Sequence, residues 1–242
     1  SYIDEFKQHF YRFEDQTDVN WKKSTLTVGA GYIIDQANST RYDDFEDRKQ
    51  NTVLYGFTQY EWRPVDKLTI IGGLRYDDNK LFAAAFSPKL ATRYAISKKF
   101  IVNASIGRGF KAPDFRQLYL NFTNNAAGGY SVFGTIDAVK IINELNSLGQ
   151  IAELKDDFYK LSDLKPEFST GINAGGTFIP TNKLSFNFNL FRNDIKNLID
   201  AREVAIRSNG TQIFSYINVQ KAYTQGGEFE AGYQLIKTLH VS

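Results

Sequence analysis

From Tyr11 to Trp21 apolar and polar side chains take strict turns. Tyr11, Phe13, Thr17, Val19 and Trp21 share one parity, while Arg12, Glu14, Gln16, Asp18 and Asn20 hold the other. A period of two sustained this long describes an extended strand with one greasy and one wet face. The pattern returns over Thr25–Asp35, Leu68–Asp77, Ser87–Ile96, Phe100–Gly107, Glu167–Phe178, Leu184–Leu190 and Ile217–Leu235. It is weaker over Thr52–Arg63, where Leu54, Tyr60 and Trp62 oppose a face mixing Val53, Tyr55 and Phe57 with Gln59 and Glu61. Such a chain is all-β. In water the pattern means a sandwich; in an outer membrane it means lipid on one side and an aqueous lumen on the other.

The connections come in two sizes. Short turns are expected at Lys22–Ser24, Pro64–Lys67, Ser97–Lys99 and Thr181–Lys183, and longer polar loops over Gln36–Asn51 and Asp194–Gly210. Pro113 has no N–H for a ladder, so the strand from Phe100 should stop near Ala112. The excursion Gly109–Lys165 is too long for an ordinary link. Within it Ile136, Val139, Ile142, Leu145 and Leu148 recur at near-helical spacing, which predicts a short amphipathic helix packed on its own loop. The last full strand exceeds the ~9 to 11 residues that a tilted membrane strand needs, so it should project above the lipid.

Composition alone leaves a membrane barrel and a Tyr-rich soluble β protein about even. Aromatics make up 15% of the chain, with 20 Phe and 14 Tyr, as expected of a barrel with aromatic girdles. The formal net charge of +2 argues against nucleic acid as a partner. The absence of cysteine rules out thiolate metal sites and cysteine nucleophiles, and His9 and His240 have no second ligand at a zinc spacing, which argues against zinc hydrolysis; no catalytic, metal or cofactor site is expected. No apolar run approaches the ~18 residues of a spanning helix, which says nothing against a barrel. Arg12, Glu14, Asp18, Arg75, Asp77, Lys89, Arg93, Glu228 and Glu230 fall on the polar parity and are expected to line the lumen. The chain opens at SYIDEFKQHF and contains no Met, so it is expected to be part of a longer protein.

Four segments carry a family resemblance: LTIIGGLRYDD at Leu68–Asp78, GRGFKAPDFRQLYL at Gly107–Leu120, LSDLKPE at Leu161–Glu167 and YINVQKAYTQGGEFEAGY at Tyr216–Tyr233. Together, in this order and spacing, they resemble the β-barrel of TonB-dependent outer-membrane receptors. The resemblance covers essentially the whole chain. It implies one partial barrel domain over residues 1–242, nine strands and the start of a tenth out of about 22, with long extracellular loops, one of them holding the helix. Plug domain and closing strands would lie outside this sequence.

The resemblance further implies a Gram-negative outer-membrane location. It implies active uptake of a scarce, bulky nutrient of the ferric siderophore, haem or cobalamin class. Outer-membrane lipid, a TonB-type energising complex acting through the plug, and the nutrient itself would be the partners. A porin-like or structural barrel is the alternative. Phe110-Lys111-Ala112-Pro113 and Leu164-Lys165-Pro166-Glu167 are similar to two boxes noted in haem receptors, which place a haem-ligating His between them. No His lies between Pro113 and Leu164 here, so the boxes are read as marks of family. Tyr119, Tyr130 and Tyr159 are the candidate ligand contacts in the long loop, as phenolate donors to ferric iron.

Overall fold

The computed structural model describes residues 4–42, 46–126, 128–236 and 239–241. One sheet dominates it. Six strands come first, β1 (Phe6–Trp21), β2 (Ser24–Ser39), β3 (Lys49–Val65), β4 (Leu68–Asn79), β5 (Ala85–Ser97) and β6 (Phe100–Lys111). The long excursion follows with α1 (Phe115–Tyr119), β7 (Asn121–Thr123), β8 (Tyr130–Phe133), α2 (Thr135–Ser147) and β9 (Ile151–Leu154). The chain then resumes its meander with β10 (Glu167–Thr181), β11 (Leu184–Arg207), β12 (Gln212–Ile236) and the short β13 (Leu239–Val241). The order in space is β1-β2-β3-β4-β5-β6-β10-β11-β12-β8-β7, with β13 on β12 and β9 on β11.

The wall is antiparallel and open at both ends, as a piece of a larger barrel must be. Two-residue turns at 22–23, 66–67, 98–99 and 182–183 close one rim. Lys23 and Lys99 tie that rim together, donating to the Pro64 and Pro180 carbonyls at 2.9 and 2.8 Å. All long connections leave from the opposite rim. Short turns on one side and long loops on the other are the mark of an outer-membrane barrel.

Register separates the faces. Tyr32 pairs with Leu54, Leu74 with Pro88, Leu90 with Ile106 and Phe188 with Phe229, all on one side. Phe100, Phe178, Phe186 and Phe229 form a ladder of rings across β6, β10, β11 and β12, with successive centroids 6.2, 6.4 and 6.0 Å apart. Phe13, Leu54 and Phe229 remain 64%, 57% and 71% exposed. In water, apolar surface on this scale costs ~25 cal/mol per Å², a penalty that hydrocarbon removes.

Several expectations change. The loop expected over Gln36–Asn51 narrows to 40–48, of which 43–45 lie outside the described residues. Asp194–Gly210 is not a loop: β11 runs unbroken to Arg207, paired with β12 from Leu184↔Tyr233 to Ile206↔Gln212, and only 208–211 turn. That upper half stands above the hydrocarbon, where nothing demands a greasy parity, so alternation vanishes while the ladder continues.

The helix exists, with a different buried face. Ala138 and Ile142 are fully buried against Phe133, Val204, Ala205 and Ile213, with Ile141 and Leu145 beside them. Ile136 is 53% and Leu148 70% exposed. A stripe of every third residue drifts around a helix of 3.6 residues per turn, and the 138/141/142/145 set is the one that stays on a single side. Gly149, at φ 71°, ends the helix in the left-handed conformation that glycine adopts freely.

Candidate functional site: the barrel mouth and bore

On the inner wall Arg12, Glu14, Tyr55, Arg75 and Asp77 form one connected group. Tyr55, 2% exposed, donates its hydroxyl proton to Glu14 and accepts from Arg12 Nε at 3.0 Å. Arg75 lies over the Tyr55 ring, 3.9 Å from its centroid, and grips Asp77 through Nε and Nη2 at 2.6 to 3.0 Å. The ring lies flat because Gly31 beneath it has no side chain: a Cβ there would stand 2.4 Å from the Tyr55 ring. Further round, Asn189 and Asn187 donate to Glu228 and Glu230 at 3.5 and 3.4 Å. Charged groups held this way present hydrogen-bonding capacity to the lumen without leaving a bare ion.

The mouth is built from the long excursion. Pro113 ends the ladder and Asp114 starts α1 with a capping box: its carboxylate accepts the Gln117 N–H at 2.9 Å, and the Gln117 amide oxygen accepts the Asp114 N–H at 3.0 Å. Phe115 then packs on Ala37 and Tyr42, so a segment leaving β6 reaches back across three intervening strands to the inner face of β2. Tyr119 touches this cluster and a second one, made of Leu118, Leu164 and Ile199 with Tyr216. Lys49 Nζ sits 4.8 Å from the Tyr119 ring centroid, and the Arg41 guanidinium 4.3 Å from that of Phe122. Burial, and then the nearby Asp114 carboxylate, push the Tyr42 phenol up to about 12. It therefore stays protonated at any physiological pH.

A cleft of about 200 Å³ opens beside α1, lined by Gln8, Asp35, Tyr42, Asn51, Asp114 and Arg116 among others. Asn51 Oδ1, also on that cleft, has no hydrogen-bond partner among the described residues. Below it a wider space of about 520 Å³ is lined by β1 to β6, including Arg75, Asp77, Ser87 and Gly109.

The two sequence boxes meet edge to edge. Phe110 pairs with Phe168 and Lys111 with Glu167 across β6 and β10. Leu164 is buried against Leu118 and Ile199. The Lys165 peptide is clamped by Asn218, whose Oδ1 accepts the Lys165 N–H at 2.8 Å while Nδ2 donates to the Lys165 carbonyl at 2.9 Å and to that of Asn197 at 2.7 Å. Asn197 takes the left-handed φ of 55° and donates to the Pro166 carbonyl at 3.4 Å. The boxes therefore anchor both ends of the excursion to the wall.

The three candidate tyrosines do not converge among the described contacts. Tyr119 is packed as above, Tyr130 sits between Phe122 and Phe214, and Tyr159 meets Phe158 edge to face at 74% exposure. Sequence reasoning missed Asn218, Tyr42, Phe115 and Lys49. Only Phe115 was findable locally, since Asp-x-x-Gln after a proline announces a helix start. No described group of three or more His, Cys, Asp or Glu could hold a metal ion.

The family model for the TonB-dependent receptor-like β-barrel matches residues 2–241. The chain belongs to this family. Relatives of this receptor barrel include the ferric enterobactin receptor PirA of Pseudomonas aeruginosa, 31% identical over 189 residues that cover 72% of the chain and 21% of that protein. The ferrienterobactin receptor of Escherichia coli is 27% identical over 216 residues, covering 87% and 26%. The vitamin B12 transporter BtuB of Photobacterium profundum is 31% identical over 112 residues, covering 43% and 18%. The crystal structure of the siderophore receptor PirA from Pseudomonas aeruginosa superimposes with a TM-score of 0.74 at 20% identity, over 97% of the chain and 41% of that one. The receptor barrel described here thus spans between 18% and 26% of the length of these three curated relatives. As in the family, it is an outer-membrane β-barrel, and its relatives are named as receptors and transporters.

Proposed function

We propose that the protein containing this barrel takes up a ferric siderophore by TonB-dependent active transport. The observation that carries the reading is the inward course of the excursion: α1 is seated on Ala37 and Tyr42 over the bore, pinned at both ends by Pro113 and the Asn218 clamp. A mouth narrowed by a packed, hydrogen-bonded segment suits capture of a large solute and opposes free diffusion. Lys49, Arg41 and Arg116, set among Tyr42, Tyr119 and Phe122, offer cations and flat rings to an anionic, aromatic ferric chelate. Two of the relatives are named for enterobactin.

The polar group around Tyr55 and Arg75 is then the seat for a plug domain supplied by the rest of the protein, and energy would reach the site through that plug. Tyr119, Tyr130 and Tyr159 remain the proposed tyrosine contacts of the loop. The test is uptake of ferric enterobactin and of cobalamin by cells carrying the full-length protein, with and without a working TonB complex. TonB-dependent accumulation of the ferric chelate is expected. Cobalamin uptake alone would move the substrate class, and TonB-independent flux of small solutes would favour a porin.

A further inference from the structure

The lipid-facing side of β6, β10, β11 and β12 can be followed row by row from the short-turn rim. Leu184 and Tyr233 come first, then the Phe178/Phe186 row, then Phe188 beside Phe229, then Ala174 and Leu190, all apolar. The next rows change character. Ile172, Arg192 and Gln225 are followed by Arg108, Thr170, Asp194 and Tyr223, and then by Phe110, Phe168, Lys196 and Lys221. From Leu184 to Lys196 the strand climbs roughly 30 Å, at ~3.3 Å per residue and a ~40° tilt, which is the thickness of the hydrocarbon. Phe168↔Lys196 is also the last β10–β11 pair, so above this row β11 parts from β10.

Lys196 and Lys221 stand directly opposite each other. Like charges in that arrangement repel. Both side chains are exposed, and among the described residues neither ammonium has a carboxylate partner. Asp194, the acid on this face, is already gripped by Arg192 through Nε and Nη2 at 2.8 to 3.2 Å. Arg108 lies over the Phe168 ring at 4.3 Å, on the same side and one row lower. The patch therefore holds an excess of positive charge at the level of headgroups, ringed by Phe110, Phe168 and Tyr223.

We propose that Lys196 and Lys221, with Arg108, bind the phosphate of a lipid headgroup in the outer leaflet of the outer membrane. A phosphate bridging the two ammoniums removes their repulsion, a guanidinium supplies directional hydrogen bonds, and the acyl chains lie against Ile172, Leu190 and the phenylalanine ladder below. Charge and apolar surface point to one occupant because the cations sit directly above the greasy rows. A soluble anion would have no use for those rows.

The test takes the full-length protein, delipidated in detergent, and counts bound short-chain phosphatidic acid by native mass spectrometry, with phosphatidylcholine and inorganic phosphate as comparison probes. Phosphatidic acid is expected to be retained by the wild type. Retention should fall about tenfold in the Lys196→Gln/Lys221→Gln double variant. It should recover in Lys196→Arg/Lys221→Arg and stay unchanged in Lys98→Gln/Lys99→Gln at the opposite rim. Relief of the repulsion predicts that the glutamine variant melts no lower than wild type in lipid-free detergent, and Lys196→Gln alone provides a milder variant. Equal retention in the glutamine variants, or inorganic phosphate binding as well as the lipid, would overturn the proposal.

Discussion

Glu167 Oε1 stands 3.6 Å from Lys111 Nζ across the β6–β10 pair and also accepts the Ile199 N–H at 2.9 Å. The two contacts differ in weight. Lys111 is 59% exposed, so its ion pair is screened, whereas the Glu167 side chain is 12% exposed and satisfies a backbone donor that nothing else reaches among the described contacts. Lys111→Ala should therefore cost less than about 1 kcal/mol. Glu167→Ala, which orphans the Ile199 N–H, should cost about 1–3 kcal/mol, and Glu167→Gln much less because the acceptor survives. Denaturant unfolding of the full-length protein in detergent compares the three.

Asn218 makes three hydrogen bonds to backbone, two to Lys165 where the excursion returns to the wall and one to Asn197 on β11. Asn218→Ala should loosen residues 112–166 while leaving the wall paired, so limited proteolysis of intact receptor should cut that segment several times faster. Asn218→Asp keeps the acceptor for the Lys165 N–H and loses both donors. It should fall between the two.

Gly31 is a matter of space. A Cβ there would meet the Tyr55 ring at 2.4 Å and the Phe13 carbonyl oxygen at 2.7 Å. Gly31→Ala should push the ring off the wall, break its bonds to Glu14 and Arg12, and destabilise by about 1–3 kcal/mol. Removing the ring as well, in Gly31→Ala/Tyr55→Ala, should recover part of a second penalty, leaving the contact with the Phe13 carbonyl. A double-mutant cycle in thermal unfolding reads the coupling.

Tyr42 gives a pH signature. Its phenol is held at about 12 in the fold against an ordinary value near 10. The folded state thus favours the protonated form, and the stability this contributes is complete below pH 10 and disappears as pH rises from 10 through 12. The loss should amount to about 2–3 kcal/mol. Tyr42→Phe should lack that part of the alkaline decline, which unfolding measured from pH 8 to pH 12 on both proteins would show.

The wall was legible because alternation belongs to each strand by itself: Tyr11 to Trp21 declares its two faces whatever it pairs with. Pro113 was legible for the same reason, since a missing N–H is a property of one residue, and β6 does end at Lys111. What could not be read were relations between distant segments. Nothing local to Asn218 announces a partner at Lys165, 53 residues away. Nothing in Ala37 marks it as the seat of Phe115. The upper half of β11 was missed because, once above the lipid, its apolar residues Ile199, Val204 and Ala205 are buried by the excursion on both parities, so no alternation marks its pairing with β12. The buried face of α2 was misjudged because counting by threes approximates 3.6 for only a turn or two.

The central claim is that one parity of every wall strand meets hydrocarbon and the other meets water. Spin labels placed one at a time at Asn187, Phe188, Asn189 and Leu190 of the full-length receptor in bilayers test it most directly, through collision rates with oxygen and with a water-soluble nickel chelate. Phe188 and Leu190 should report high oxygen and low nickel access, and Asn187 and Asn189 the reverse. Equal accessibility along the four positions, or shielding of Phe188 and Leu190 from both reagents, would contradict the account.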